Sequence, residues 1–256
     1  MLIQNFISFK TIVRKEVRRV FRIWVQTLLP PVITMGLYLL IFGRFIGSQL
    51  RSINGVSYME FIIPGIIMMS VITNSYANVV SSFFSSKMQR NIEEILISST
   101  SPVVTILGFC FGGITRGLLI GALVTVFSLF FAKLNIYNIG IVFVFIFLTS
   151  AIFTLAGLIN AIFAKKPDDI SIIPTFVLTP LTYLSGVFYS ISLLPPFWQT
   201  VSKLNPILYM VNGFRYGFLG FSDINIVFGF CMLVLFTVIL FTINLILLKK
   251  GAGLKT

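Results

Sequence analysis

Charged residues are almost absent from six long stretches of this 256-residue chain. Apart from Arg116, every charged side chain lies at the edge of one of these stretches or between two of them. Most of the stretches exceed the roughly 20 apolar residues that an α-helix needs to cross a bilayer. A soluble protein of this length would need more than 10% charged residues to cover its surface. The sequence therefore predicts an all-α integral membrane protein with six transmembrane helices in a single domain, residues 1–256.

The predicted spans follow the uncharged stretches. They are residues 25–46, 61–84, 110–132, 138–164, 170–191 and 224–248. Most of the 19 basic residues precede the first span or lie in every second loop after it. The opposite side carries only Arg44, Arg51, Lys133, Lys203 and Arg215. By the positive-inside rule, both termini are expected in the cytoplasm.

The net charge of +12 is dispersed over several short loops. This distribution suits anionic lipid headgroups better than nucleic acid, so membrane lipids are expected partners and nucleic acid is not.

About 22 largely polar or basic residues precede the first apolar run, so a cleaved signal peptide is not expected.

The first 24 residues have the spacing of an amphipathic helix. The apolar side chains that recur at steps of three and four on one face are Phe6, Phe9, Val13, Val17, Val20 and Trp24. The basic side chains that recur every four positions on another face are Lys10, Arg14, Arg18 and Arg22. This pattern favours a helix over residues 1–24 lying along the cytoplasmic leaflet. The alternative is a basic flank that only fixes the topology.

Residues 85–102 form the longest predicted cytoplasmic loop. Glu93 and Glu94 stand there beside Ile92, with Arg90 three residues before Glu93. Such spacing is typical of a short two-faced helix. A helix of this kind suits a groove on a partner protein, and the alternative is a solvated loop that caps a helix.

Residues that drive ion coupling or catalysis are missing from the predicted spans. Ion-coupled transporters usually carry acidic or histidine side chains there, whereas this chain has no histidine and Glu16 is assigned to the basic N-terminal segment. The chain also lacks a G-x-x-x-x-G-K-[ST] phosphate loop, so energy for a pump would come from another subunit. The two cysteines are far apart in predicted helices, and no disulfide, metal site or catalytic residue is predicted.

Two features of the third span concern helix packing. Gly113, Gly117 and Gly121 make two overlapping G-x-x-x-G steps, which let helix backbones approach closely in lipid. Whether the neighbouring helix belongs to this chain or to a second copy stays open. Arg116 interrupts the span; we favour a side chain extending to the cytoplasmic headgroups, with a polar contact lining a cavity as the alternative.

Pro174 and Pro180 should kink or loosen the fifth span because proline removes a backbone donor. The next segment, 193–221, is too polar and too often broken for a regular span, yet too aromatic for an ordinary loop. It is predicted to form a re-entrant hairpin of two short helices in the outer leaflet, with Asn205 and Pro206 at its turn. The alternative is an outer surface loop held by aromatic anchors.

Two side chains of the predicted hairpin are six residues apart on one short helix, so they lie on well-separated faces. Tyr209 is expected to pack toward the bundle, while Arg215 reaches the outer headgroups or a polar partner. The hairpin would either move when substrate leaves or act as a static plug, and the sequence leaves both open.

The hairpin also contains a recognisable pattern, in which Pro206, Ile207, Leu208 and Tyr209 are followed by Arg215. It resembles the signature of ABC-2-type permeases, the membrane subunits of one class of ATP-binding-cassette exporter. Segments 22–34, 61–79 and 168–190 extend the resemblance over essentially the whole chain. The resemblance implies six spans, an N-terminal connecting helix, a cytoplasmic coupling helix between the second and third spans, and a helical hairpin before the sixth.

The resemblance also implies a function, that of the permease subunit of an exporter in a bacterial inner membrane. Members of the family combine two permease subunits with two ATPase subunits, so the expected partners are an ATPase and a second copy of this chain. ATP would bind to the partner subunit, and no cofactor is expected on this chain. The substrate would be amphipathic, lipid-linked or drug-like. The rival interpretations are a stand-alone secondary transporter, a membrane-embedded enzyme and a membrane scaffold protein.

Within the family, the loop before the third span couples transport to ATP hydrolysis. The corresponding residues here are Arg90, Glu93 and Glu94. Many relatives have a Gly-Thr pair before their glutamate, whereas this chain has Asn91 and Ile92. Which of the two glutamates acts in coupling is therefore left open.

Overall fold

The computed structural model describes residues 2–47, 55–98 and 100–253, and this part of the chain is mostly helical. Its α-helices are α1 (Leu2–Arg22), α2 (Trp24–Tyr38), α3 (Tyr58–Met88), α4 (Asn91–Ile97), α5 (Pro102–Ser128), α6 (Ile139–Phe163), α7 (Asp169–Ile173), α8 (Thr179–Tyr183), α9 (Pro196–Lys203), α10 (Pro206–Leu219) and α11 (Ile226–Lys250). The predicted all-α class is confirmed.

Five helices in the described ranges are long and apolar enough to cross a membrane. They are α2 with its π-helical continuation to Ile46, α3, α5, α6 and α11. These helices coincide with five of the six predicted spans. The largest difference in bounds is at α5, which begins at Pro102 and not at residue 110. The apolar residues before Arg116 belong to the same helix, so Arg116 lies near its middle and not at its end.

The predicted fifth span, 170–191, is not one regular helix. A π-helical segment, Pro174–Leu178, separates α7 from α8, and the helix ends at Tyr183. This follows from Pro174 and Pro180, since each removes a backbone donor from the helical ladder. Fifteen residues from Asp169 to Tyr183 rise only about 22 Å, less than the roughly 30 Å hydrocarbon core. The count of six spans therefore stays a prediction.

Local side-chain chemistry sets the ends of several helices. Ser57 and Glu60 form a reciprocal capping box at the start of α3. Asn138 and Asn225 accept hydrogen bonds from the first turns of α6 and α11. The loop before α7 is fixed by Asp169, which accepts hydrogen bonds from two backbone N–H groups that lower the pKa of its carboxyl.

Helix α3 is the centre of the bundle. In the most apolar 18-residue segment of α3, 83% of the residues are buried, compared with 11% in the corresponding segment of α11. Helices α5 and α6 pack along α3, and α10 packs against α3, α6 and α11. Large side chains such as Phe61, Ile66 and Tyr76 are fully buried in this core. The two helices α9 and α10 of the predicted hairpin are present and are separated by Leu204 and Asn205. Their depth in a membrane stays a prediction.

Helix α1 is continuous over Leu2–Arg22 and packs along α5. Its most buried residues are Ile12, Glu16 and Val20, while Phe6 and Trp24, assigned to its apolar face, are exposed. The face that contacts the bundle is therefore rotated from the face that hydrophobicity indicates, because it includes a buried carboxylate. Its position along a leaflet stays a prediction.

Candidate functional site

The predicted coupling segment folds as the seven-residue helix α4, next to the end of α3. Arg90 joins the two helices in the left-handed conformation, with φ of 60°, which is uncommon for a residue other than glycine. Ile92 is buried with Phe83 and anchors α4 to the bundle. Glu93 and Glu94 are exposed, and within the described part of the chain no residue pairs with either carboxylate. Helix α4 thus presents two unpaired negative charges beside a fixed anchor.

A polar stripe runs along α3 toward α4. Every fourth residue of this helix is a buried serine or asparagine: Ser70, Asn74, Asn78, Ser82 and Ser86. Since i and i+4 positions lie one above the other on a helix, these side chains form a single row. The row faces α1 and α5, whose charged side chains bind to it. We call it the α3 polar row.

Glu16 is the acidic member of this contact and is fully buried. Ser82 of the α3 polar row donates a hydrogen bond of 2.6 Å to its Oε1. Arg19, one turn along α1, lies 3.5 Å from the other carboxylate oxygen. Its guanidinium donates to both the backbone carbonyl and the side-chain oxygen of Asn78, at 2.8 and 2.9 Å. Burial lowers the pKa of the Arg19 guanidinium, and the charge of Glu16 opposes that shift.

Two glycines of α5 make room for α1. A Cβ on Gly112 would lie 2.6 Å from the Cβ of Glu16, and one on Gly108 would lie 2.6 Å from Ile12. Both distances are shorter than carbon atoms tolerate. The spacing of four residues is the same on the two helices, so Ile12 and Glu16 fit onto Gly108 and Gly112 in register. The charge at position 16 is thereby held against α5.

Arg116 contacts the α3 polar row from α5. Its Nη2 donates to Oδ1 of Asn74 at 3.0 Å and to the backbone carbonyl of Thr27 at 3.3 Å. The interpretation that we favoured, a side chain extending to the headgroups, is wrong because both acceptors lie within the bundle. The polar contact in the alternative is observed and joins α2, α3 and α5, while a cavity beside Arg116 stays a prediction.

The glycines of the third span face neighbours in the same chain. A Cβ on Gly117 would clash with Oγ of Ser75 in α3 and lie 2.8 Å from Oγ of Ser150 in α6. A Cβ on Gly113 or Gly121 would likewise lie 2.7 to 3.0 Å from side chains of α3 and α6. These three glycines therefore pack against α3 and α6 of the same chain.

Helix α10 of the predicted hairpin is held at its beginning by Asn205. The Asn205 side chain is buried, accepts from the N–H of Ile207 and donates to the carbonyl of Leu181 at 2.6 Å. Pro206 follows at the first helical position, where its missing N–H costs little. Tyr209 packs against Phe228 of α11, as expected of a side chain that faces the bundle. Its hydroxyl donates to the carbonyl of Lys203 at 2.8 Å.

Arg215 is buried, with 1% of its surface exposed. It does not reach toward headgroups; of the two expectations, the polar partner is the one observed. Its guanidinium donates to the carbonyls of Gly186 at 2.7 Å and Phe61 at 3.3 Å, and its Cζ lies 3.9 Å from the centre of the Phe61 ring. Arg215 thus joins α10 to α3 and to the turn after α8.

A second bridge holds the turn after α8. Asp223, between α10 and α11, accepts hydrogen bonds from the hydroxyl of Ser190 and from the N–H of Ile191. The N–H of Asp223 in turn donates to the Asn212 side chain on α10. Asp223 and Arg215 therefore connect the hairpin to the same turn from two directions.

Within the described ranges, no group of three or more His, Cys, Asp or Glu side chains is arranged to hold a metal ion.

Sequence reasoning missed Glu16 and the α3 polar row. A signal was present, since serine or asparagine recurs every four residues from position 70 to position 86 of this span. That spacing indicates one polar helix face, and a polar face inside a membrane protein requires partners. The partners themselves, on α1 and α5, are far from α3 in sequence and had no local signal.

Comparison with known proteins identifies relatives over almost the entire chain. Residues 7–219 match the family described as ABC-2 type transporter. The inner membrane transport permease YadH of Escherichia coli (strain K12) is 56% identical over 251 residues, which cover 98% of both chains. The permease of the same name from Shigella flexneri is equally similar. Nodulation protein J of Neorhizobium galegae is 25% identical over 215 residues, covering 84% of this chain and 82% of that protein.

Proposed function

Because the chain belongs to the ABC-2 type transporter family, we propose that it is the membrane-spanning permease subunit of an ATP-binding-cassette exporter. The observation that supports this best is helix α4, where Ile92 is fixed in the bundle while Glu93 and Glu94 are exposed and unpaired among the described residues. An ATPase bound there could transmit force to α3. The sequence has no phosphate loop of its own, so ATP would bind and be hydrolysed on the partner.

We further propose that two copies of the chain form the pathway. The interrupted helix from Asp169 to Tyr183 supports this. It exposes Thr175 and Thr179 beside a π-helical segment. Irregular backbone at membrane depth is stable only where protein or water satisfies its polar groups, which a second copy would do. The cargo would be amphipathic, lipid-linked or drug-like and would leave past the α9–α10 hairpin, across the inner membrane.

Affinity purification of the full-length chain from bacterial membranes tests the assignment. We expect a second protein containing a G-x-x-x-x-G-K-[ST] loop to co-purify and the complex to hydrolyse ATP. Reconstituted vesicles should then export lipid or drug probes only when ATP is supplied on the ATPase side. Transport by the chain alone, without nucleotide, would contradict the proposal and favour a secondary transporter.

Replacing both Glu93 and Glu94 with alanine should weaken ATPase association by tenfold or more. One lost charge-assisted contact is worth about 1.5–3 kcal/mol, and 1.4 kcal/mol is tenfold in affinity. Membrane insertion should be unchanged, because both side chains are exposed and unpaired within the described part of the chain. The control is Asp168→Ala, which removes one exposed carboxylate predicted on the same side. Equal association and transport in the double variant and the control would exclude α4 from coupling.

The proposed orientation places both termini and residue 166 in the cytoplasm, and residue 204 outside. In a Cys231→Ser background, an impermeant maleimide should label Leu204→Cys in sealed cells. It should label Lys166→Cys only after the membrane is opened. Both positions are exposed in the fold, so access is decided by the membrane and not by packing. Strong labelling of Lys166→Cys in sealed cells would show that the orientation is opposite to the proposed one.

Buried Glu16 is the one observation that favours a stand-alone secondary transporter, since such proteins use buried carboxylates to bind ions. Here the carboxylate already has Ser82 and Arg19 as partners. A carboxylate held this way resembles a structural ion pair more than an exchange site for protons or sodium. Transport that follows an imposed proton or sodium gradient, and stops in Glu16→Gln, would support the alternative.

A further inference from the structure

The exposed side of α1 forms a shallow basic concavity, and one of its lining residues, Lys15, also donates a hydrogen bond to Ser86 of the α3 polar row at 3.2 Å. About 310 Å³ of space is lined by Lys10, Thr11, Arg14, Lys15 and Arg18. Lys10, Arg14 and Arg18 recur every four residues, so three cations lie on successive turns, about 6 Å apart along the axis. We call these five residues the α1 basic face.

Among the described residues, no acidic side chain pairs with the cations of the α1 basic face. Helix α1 contains a single acidic residue, Glu16, and that residue points into the bundle toward Ser82. Within the described ranges, Lys10, Arg14 and Arg18 form no ion pair. Like charges at i and i+4 repel one another on an isolated helix. An anionic ligand would relieve this repulsion.

Exposed apolar side chains flank the α1 basic face and indicate what kind of anion it suits. Ile7 lies one turn before the concavity and Phe21 one turn after it, and they are 57% and 52% exposed. Ile3 and Phe6 continue this apolar surface with still higher exposure. Free phosphate has no apolar part that could contact these flanking side chains. An amphiphile with an anionic head and an apolar tail matches both features.

We propose that the α1 basic face is a binding site for the phosphate headgroup of an anionic phospholipid. Arg14 and Arg18 would donate paired N–H bonds to the phosphate oxygens, since the guanidinium fork matches that geometry. Lys10 would add a third positive charge, and the flanking apolar side chains would contact the acyl region. This site goes beyond the transport function, because the bound lipid stays with the permease and is not its cargo.

Native mass spectrometry of the full-length chain in detergent tests the site directly. Dioleoylphosphatidylglycerol is the probe, and dioleoylphosphatidylcholine provides the same tails without net charge. The variant is Lys10→Gln with Arg14→Gln and Arg18→Gln. We expect the affinity for phosphatidylglycerol to fall by tenfold or more, since each cation near an anionic headgroup contributes to attraction. Binding of phosphatidylcholine should not change.

The matched control removes three exposed cations elsewhere, by Arg44→Gln, Lys133→Gln and Lys203→Gln. It should keep the wild-type affinity, because it has the same net charge as the test variant but an intact α1 basic face. An equal loss in both variants would mean that net charge alone governs binding and would overturn the site. Circular dichroism and elution volume verify that each variant is folded.

Two further outcomes would also overturn the lipid assignment. If inorganic phosphate displaces phosphatidylglycerol as well as the lipid itself does, the face binds free phosphate. If the test variant keeps its lipid affinity but no longer retains an ATPase subunit, the face serves protein docking. None of these readouts depends on transport, so the lipid site can fail while the exporter function stands.

Discussion

Arg215→Met is expected to lower the stability of the purified protein by about 3 kcal/mol or more. Each hydrogen bond from a charged donor contributes about 1.5–3 kcal/mol, and Arg215 donates to the carbonyls of Phe61 and Gly186. Methionine would remove the desolvation cost of the buried cation. It would also leave the Gly186 carbonyl, in a turn outside any helix, without this donor. We expect the second effect to dominate, because Arg215 joins three segments. The apparent melting temperature in detergent, followed by tryptophan fluorescence, measures the loss.

Two variants make the Arg215 result interpretable. Arg44→Met changes an exposed arginine, so its melting temperature should remain close to that of the wild type. Arg215→Lys keeps the charge but cannot extend two donors in a fixed plane, so it should fall between the two. If Arg215→Met has the melting temperature of the wild type, these hydrogen bonds make no net contribution to stability. Transport that is normal despite the lower melting temperature would favour a static hairpin over a moving one.

Glu16→Ala is expected to increase the fraction of molecules in which α1 is detached from the bundle. Breaking a buried ion pair by removing one partner costs about 3–5 kcal/mol. The cost here should be nearer 2–3 kcal/mol, because Arg19 is only half-buried and keeps its hydrogen bonds to Asn78. Backbone hydrogen exchange in α1 should then accelerate about 30-fold to 150-fold. Exchange in α11, which lies elsewhere in the bundle, should be unchanged.

The controls for Glu16 separate its buried position from its charge. Glu94→Ala removes an exposed carboxylate and should leave exchange in α1 unaffected. Glu16→Gln can still accept from Ser82 but loses the ion pair with Arg19, so an intermediate rate is expected. If α1 exchanges equally in wild type and Glu16→Ala, the carboxylate does not hold the helix, and the fit of Ile12 on Gly108 is the main contact.

The sequence by itself determined the class and most of the helices of this protein. The uncharged runs predict helices because hydrophobicity and length are local properties of a segment. Helix ends follow from local capping chemistry, as at Ser57 and Asn205. The signature that begins at Pro206 pointed to the ABC-2 type family, which the comparisons confirm. Even the interruption at Pro174 follows from a single residue type.

The tertiary structure alone decided which partner each charged residue has. Glu16 is 66 residues from Ser82, and Arg215 is 154 residues from Phe61. A charge is stable in the bundle only when its desolvation is compensated by such a partner. The sequence placed Glu16 among basic surface residues and extended Arg116 to the headgroups, because a one-dimensional pattern contains no information on what lies across a helix interface. Burial and partner are properties of the packed bundle, so they became known only once α1, α3 and α5 were placed together.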